Sequence, residues 1–161
     1  PKPQNPKKMK NKLTNKLKIE IIENKLHGYC NVLNIEIQEL EIKKEYLSYV
    51  DDFIVFDFDG LVSHFETPAM FIGSSTGVMA DPESLKNYYR NLQSNIQTGY
   101  AYSTVDELTI TEISEVVYLV TASFTRYNAQ DEILLKSTSY NFFKETSAGW
   151  KMFLMQSEGL P

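Results

Sequence analysis

The chain of 161 residues is the size of one ordinary domain, and 42% apolar residues are enough to build a hydrophobic core. A single cysteine, Cys30, excludes an internal disulfide framework and offers no metal-ligand spacing; it reads as a small side chain without chemistry. The net charge of −5 is unevenly spread: residues 1–46 carry ten Lys against six Glu, and residues 47–161 carry six Lys or Arg against fifteen acids. An acidic body argues against nucleic acid as the main partner.

In chain order, the leader "PKPQNPKKMKNKLTNKLK" is rich in Asn, Lys and Pro and reads as a solvated tail. It has no apolar stretch of about 7–15 residues behind its basic ones, as a secretory signal would. No apolar run reaches the roughly 18 residues of a membrane span, so the expectation is a soluble, cytoplasmic protein. Residues 19–42 mix helical and alternating patterns around Gly28, so residues 1–42 are set apart as an extension of open structure.

From Lys43 the pattern sharpens. Leu47, Val50, Ile54, Phe58, Leu61 and Phe65 step by three and four, the period of one helix face, and Pro68 closes the segment. "AMFIGSSTGVMA" is a hairpin pattern of two short apolar runs around Gly and Ser. "DPESLKNYYRNLQSNIQTG" predicts a helix: Asp81 caps it, Pro82 suits its first turn, Leu85, Tyr88, Tyr89, Leu92 and Ile96 form its face, and Gly99 ends it. After Gly99 four segments rich in β-branched and aromatic residues follow, separated by breaks too short for anything but antiparallel neighbours.

One stretch invites a different reading. "VFDFDGLV", residues 55–62, nearly spells the Asp-x-Asp-Gly signature of haloacid dehalogenase-type phosphatases. That chemistry needs the motif at the tip of a parallel strand, with helices between the later strands, and the second half of this chain has none. The helical reading explains the same letters: a first helix ends near Asp59-Gly60, and Asp59 caps a short second one over 61–65. Asp51 and Asp52 then lie off the apolar face, solvated, while Asp57 falls at its edge.

The order helix, short helix, hairpin, long helix and antiparallel meander, with "DFDGLVSHF" at the turn between the first helices and "SYNFFKETSAGWKMF" as the closing hairpin, resembles the NTF2-like superfamily. This is the cone fold of nuclear transport factor 2, ketosteroid isomerase, scytalone dehydratase and the SnoaL-type cyclases. The resemblance covers residues 43–158 and divides the chain into an extension, 1–42, and an NTF2-like domain, 43–161. It implies an α+β fold in which N-terminal helices pack against a strongly bent, mixed or antiparallel sheet around a conical cavity. It further implies a homodimer through the sheet face and a cavity suited to small apolar molecules.

A cavity enzyme of this class uses an acid or base at the bottom of an apolar cone and a donor for an oxyanion. The candidates are Asp57 and His64, which share a helix flank roughly 10 Å apart and would face one ligand from two sides. Strand alternation puts Thr138, Tyr140 and Phe142 on one face, and Trp150, Met152, Leu154 and Gln156 on one face of the last strand. Tyr140, Gln156 and Trp150 are therefore expected at the ligand, with Tyr88 from the long helix. Arg126, at a strand end, either holds a carboxylate at the cavity mouth or pairs with an acid at the surface. No cofactor is called for: the chain has neither a Gly-rich phosphate loop nor a cluster of metal ligands. Three readings remain: a small-molecule binder, a cofactor-independent isomerase, dehydratase or cyclase using Asp57 or His64 with a Tyr, and an interaction module with a filled cone. A ligand site of roughly 300 Å³ separates the first two from the third.

Overall fold

The computed structural model describes residues 6–74 and 76–157, with side chains described from residue 24 onward except those of 27, 30, 31 and 75. The reading of Cys30 thus lies outside the described residues. The chain divides into two units, residues 1–40 and 41–161. In the first, helix α1 (Pro6–Val55) begins at Pro6, so the residues read as a tail from residue 6 onward are helical instead. Between Pro6 and Pro68 no proline interrupts the chain and Gly28 is the single glycine before Gly60, so nothing in the backbone stops a helix once formed. The described side chains Leu26, Tyr29, Leu33 and Leu40 are exposed.

In the second unit the end of α1 buries Ile42, Tyr46, Tyr49 and Phe53, spaced four, three and four apart. This face lies one residue round from the stripe read in the sequence; Leu47 is 39% exposed. Both stripes have helical spacing, and the larger aromatic rings took the core side. Helix α1 ends at Val55, with Phe56 in the left-handed region at φ 52°. Phe56 N–H donates to Phe53 O (3.2 Å) and Asp57 N–H to Asp52 O (3.0 Å), the paired bonds of a Schellman motif. Phenylalanine replaces the usual glycine there, and its ring packs against Phe53 at 5.3 Å and Tyr100 at 6.2 Å.

Helix α2 is Phe58–Ser63, and its cap is Asp57, not Asp59: the Asp57 carboxylate accepts from the backbone N–H of Asp59 and Gly60, each at 3.1 Å. Strands β1 (Phe65–Ile72) and β2 (Thr76–Met79) form the expected hairpin, with a cis Thr67–Pro68 bond inside β1 where a helix end was expected. Helix α3 (Pro82–Asn95) is capped by Asp81 with Pro82 in its first turn, and it buries Leu85, Tyr89 and Leu92. Strands β3 (Tyr100–Ser114), β4 (Val117–Asn128), β5 (Ile133–Thr146) and β6 (Gly149–Ser157) complete a sheet of order β2-β1-β6-β5-β4-β3. Only the β1–β6 pair is parallel. The fold is α+β, its sheet is mixed, and register shifts in β3, β5 and β6 bend it around the helices.

One shift decides which side chains face inward. Phe142 pairs with Leu154 but Phe143 with Met152, leaving Phe153 as an extra residue. Alternation along β6 therefore reverses: Trp150 and Met152 are buried before it, Met155 and Ser157 after it. Among the described residues no helix is long and apolar enough to cross a membrane.

Candidate functional site

Between α1, α3 and the inner face of the sheet lies a cavity of about 60 Å³. Tyr46, Tyr49, Val50 and Phe53 reach it from α1, and Tyr88, Tyr89 and Leu92 from α3. Strands β3 and β4 add Val105, Phe124 and Arg126, and β5 and β6 add Ser139, Asn141, Met155 and Ser157. Its phenols form a short chain: Tyr89 Oη donates to Tyr49 Oη (3.2 Å), which donates to Met155 Sδ at 4.0 Å, while Tyr46 Oη and Ser139 Oγ lie 3.4 Å apart. Burial raises the Tyr46, Tyr49, Tyr88 and Tyr89 phenols above the ordinary value of 10.0, so they are neutral hydrogen-bonding groups at neutral pH.

Arg126 is 3% exposed. Its Nη1 donates to Gln97 Oε1 (2.8 Å), and its guanidinium sits 5.4 Å from the Phe53 ring, 5.4 Å from Phe124 and 5.9 Å from Tyr100. Its Nε is buried without an acceptor, and among the described residues no carboxylate forms an ion pair with it. The surface ion pair considered for Arg126 is thus not what the residue makes. Asp106, on the neighbouring strand, accepts instead from Thr104 Oγ1 (2.8 Å) and Thr125 Oγ1 (2.5 Å). Burial pulls the Arg126 guanidinium below its ordinary value, against the opposing influence of Tyr100, Tyr49 and Tyr88. Asn141 is fully buried; its Nδ2 donates to Ser139 Oγ (2.9 Å) and Val120 O (3.3 Å), and its Oδ1 has no partner.

His64 lies outside this lining. It is 4% exposed, with Nε2 2.8 Å from Asp52 Oδ2 and Nδ1 3.1 Å from Glu45 Oε1, and Lys151 Nζ donates to the same Glu45 oxygen at 2.8 Å. Asp52, expected in solvent, is a partner of the buried imidazole. Gly60 makes this possible, because a Cβ there would collide with the Asp52 carboxylate. Burial alone would raise the Glu45 carboxyl, but hydrogen bonds from Lys151 and then His64 outweigh it and hold it below 4.5. Asp59 pairs with Lys86 across to α3. Every acid of "VFDFDGLV" is thereby accounted for as helix cap or ion pair, with no parallel strand tip in reach.

Of the residues singled out in the sequence, the structure brings Tyr88 and Arg126 to the cavity. Asp57 is exposed at its helix cap, Gln156 is exposed and Tyr140 half-buried, none of them in the lining. Trp150 is buried edge-on against Tyr118 with ring centroids 5.2 Å apart, also outside it. On β5 the inward set is Ser139, Asn141 and Phe143, one residue out of step with the set read in the sequence. Asn141 and Ser139 were missed, although a polar pair two apart in a strand otherwise rich in aromatics is a visible signal. Among the described residues no group of three His, Cys, Asp or Glu side chains is arranged to hold a metal ion.

The family model described as NTF2-like protein (DUF6841) matches residues 38–159, and the chain belongs to this family. Solved structures of the same fold include a protein of unknown function with a cystatin-like fold from Nostoc punctiforme, with TM-score 0.65 and 16% identity over 76% of this chain and 93% of that one. An NTF2-like protein from Novosphingobium aromaticivorans aligns with TM-score 0.64 and 13% identity over 80% of this chain and 86% of that one. A ketosteroid isomerase-like protein from Erwinia carotovora atroseptica aligns with TM-score 0.56 and 12% identity over 74% and 93%. Among curated proteins none matches the sequence. At such identities the likeness is one of fold, and function has to be argued from the site.

Proposed function

We propose that the cone is a binding site for a small molecule rather than a reaction vessel. The observation that carries this reading is the pair of buried polar groups in an aromatic wall, the Arg126 Nε and the Asn141 Oδ1, that have no partner among the described residues. Each such group costs about 1–3 kcal/mol of stability, more for a charged one, and a cone that served only as packing would have no use for them. Among the described residues no carboxylate, imidazole or thiol lines the cavity. This weighs against an isomerase, dehydratase or cyclase that draws on Asp57 or His64 with a Tyr donor, because no base would reach the ligand. The volume of about 60 Å³ falls below the roughly 300 Å³ set for a ligand site and holds a few non-hydrogen atoms, not a steroid-sized body. That same volume favours a second reading, a nearly filled cone whose sheet face binds a partner. The homodimer through the sheet face belongs to this proposal and is read from the oligomeric mass in solution.

The test is a methyl NMR titration of the whole chain with a panel of neutral and anionic molecules of three to six non-hydrogen atoms. Binding is expected to shift Val50, Leu92 and Val105, which line the cavity from three elements. If no molecule of the panel moves them, the binding reading falls and the filled cone stands.

A further inference from the structure

Arg126 carries a full charge into a site that offers it no counter-charge. Its Nη1 is held by Gln97 Oε1 at 2.8 Å, which fixes the plane of the guanidinium. The opposite edge, Nε and Nη2, makes no hydrogen bond to any described residue, and Nε is fully buried. Rings of Phe53, Phe124 and Tyr100 at 5.4–5.9 Å flank the group; they offset part of the desolvation of a cation but supply no acceptor. A guanidinium edge of two parallel N–H groups matches the two oxygens of a carboxylate, which it takes side-on. The remaining lining is apolar or neutral, with Val50, Leu92, Val105 and Met155 beside the rings.

We propose that the cavity binds a short-chain monocarboxylate, its carboxylate on the Nε edge of Arg126 and its apolar body against Phe53, Val105 and Leu92. The inference rests on the reading of the cone as a binding site and names the ligand class of that site. One anchoring cation calls for one negative charge. A phosphate, tetrahedral and carrying more charge, would leave oxygens facing aromatic rings and valine. The volume of about 60 Å³ limits the body to a few carbons.

The decisive experiment uses the whole chain and two probes of nearly equal shape, butyrate and 1-butanol, with inorganic phosphate as a third. Nitrogen-15 NMR of the Arg126 Nε–H signal and of the cavity methyls is followed during each titration. Butyrate is expected to bind at least about tenfold more tightly than 1-butanol, the order of one charge-assisted hydrogen bond, and to shift the Nε–H resonance downfield. Arg126→Gln is expected to erase the preference for butyrate over 1-butanol. Equal binding of butyrate and 1-butanol with an unmoved Nε–H overturns the carboxylate anchor but leaves the binding site standing. Binding of neither removes both. Preference for phosphate overturns the ligand class. The comparison of probes on the unmutated chain decides the matter even if Arg126→Gln does not fold.

Discussion

The second unit buries two groups able to carry positive charge, His64 and Arg126, and treats them in opposite ways. His64 faces a carboxylate from each ring nitrogen, and Lys151 extends the network to β6. Arg126 has one amide oxygen, three rings and, among the described residues, no acid. A buried group with all its hydrogen bonds made is part of the architecture; it ties α1 to the start of β1 and to β6. A buried charge left open on one edge is a cost to stability that folding alone does not explain. The difference separates a polar cluster whose partners are all made from one that the proposed binding reading needs open.

The comparison can be broken most directly at His64. His64→Ala leaves Asp52 and Glu45 facing each other across a gap without their shared partner. Complete burial would make such a loss about 3–5 kcal/mol; the two acid side chains are 29% and 25% exposed, so solvent screening reduces the expectation to about 2–3 kcal/mol in urea unfolding. A loss under roughly half a kcal/mol would mean the cluster is not structural. Arg126→Met should act in the opposite direction. Replacing an uncompensated charge by an apolar chain of similar length is expected to stabilise the protein by about 1–2 kcal/mol, seen as a rise in Tm of several degrees, while removing any preference for anions. A destabilised Arg126→Met variant would place Arg126 with His64, as architecture.

The smallest effect, and the sharpest on mechanism, concerns Glu45. Its folded pKa lies below its ordinary 4.5, so between the two values the unfolded chain binds the additional proton and stability rises with pH. The contribution of Glu45 is complete above about 4.5 and is lost as pH falls through the folded value. Glu45→Gln is therefore expected to cost about 1 kcal/mol at neutral pH, with the gap to wild type closing in the acid range. A gap that stays constant with pH would show that the side chain matters through packing and not through its charge.

Much of this molecule is local and legible in the letters. Asp81-Pro82 followed by Leu85, Tyr89 and Leu92 is a helix start and face written within fifteen residues, and it folds as read. The hairpin of β1 and β2 and the antiparallel meander from β3 to β6 are equally local, because short polar breaks permit nothing else. The phosphatase-like letters of "VFDFDGLV" carry no phosphatase for the same reason: a strand tip needs a βαβ context that the downstream pattern does not supply.

Three matters were decided only in three dimensions. Two helical stripes a single residue apart both looked apolar, and the choice of Ile42, Tyr46, Tyr49 and Phe53 depended on the volume available against the sheet. The inward face of the second half of β6 turned on one extra residue, Phe153, since an insertion of one reverses every side chain beyond it. That bulge separates the expected Gln156 from the observed Met155, while on β5, which alternates without interruption over residues 139–143, the inward face is that of Ser139 and Asn141 and not that of Tyr140. The partners of His64 and the lack, among the described residues, of a carboxylate for Arg126 are long-range facts: Glu45 lies 19 residues from His64 and 106 from Lys151. Composition and spacing determined the types and order of the helices and strands, an order that resembles an NTF2-like cone, because helix and strand periodicity act over a few residues. Which polar groups the cone would satisfy, and which it would leave open, was settled by tertiary packing, because hydrogen-bond partners distant in sequence meet only once the sheet has bent around the helices.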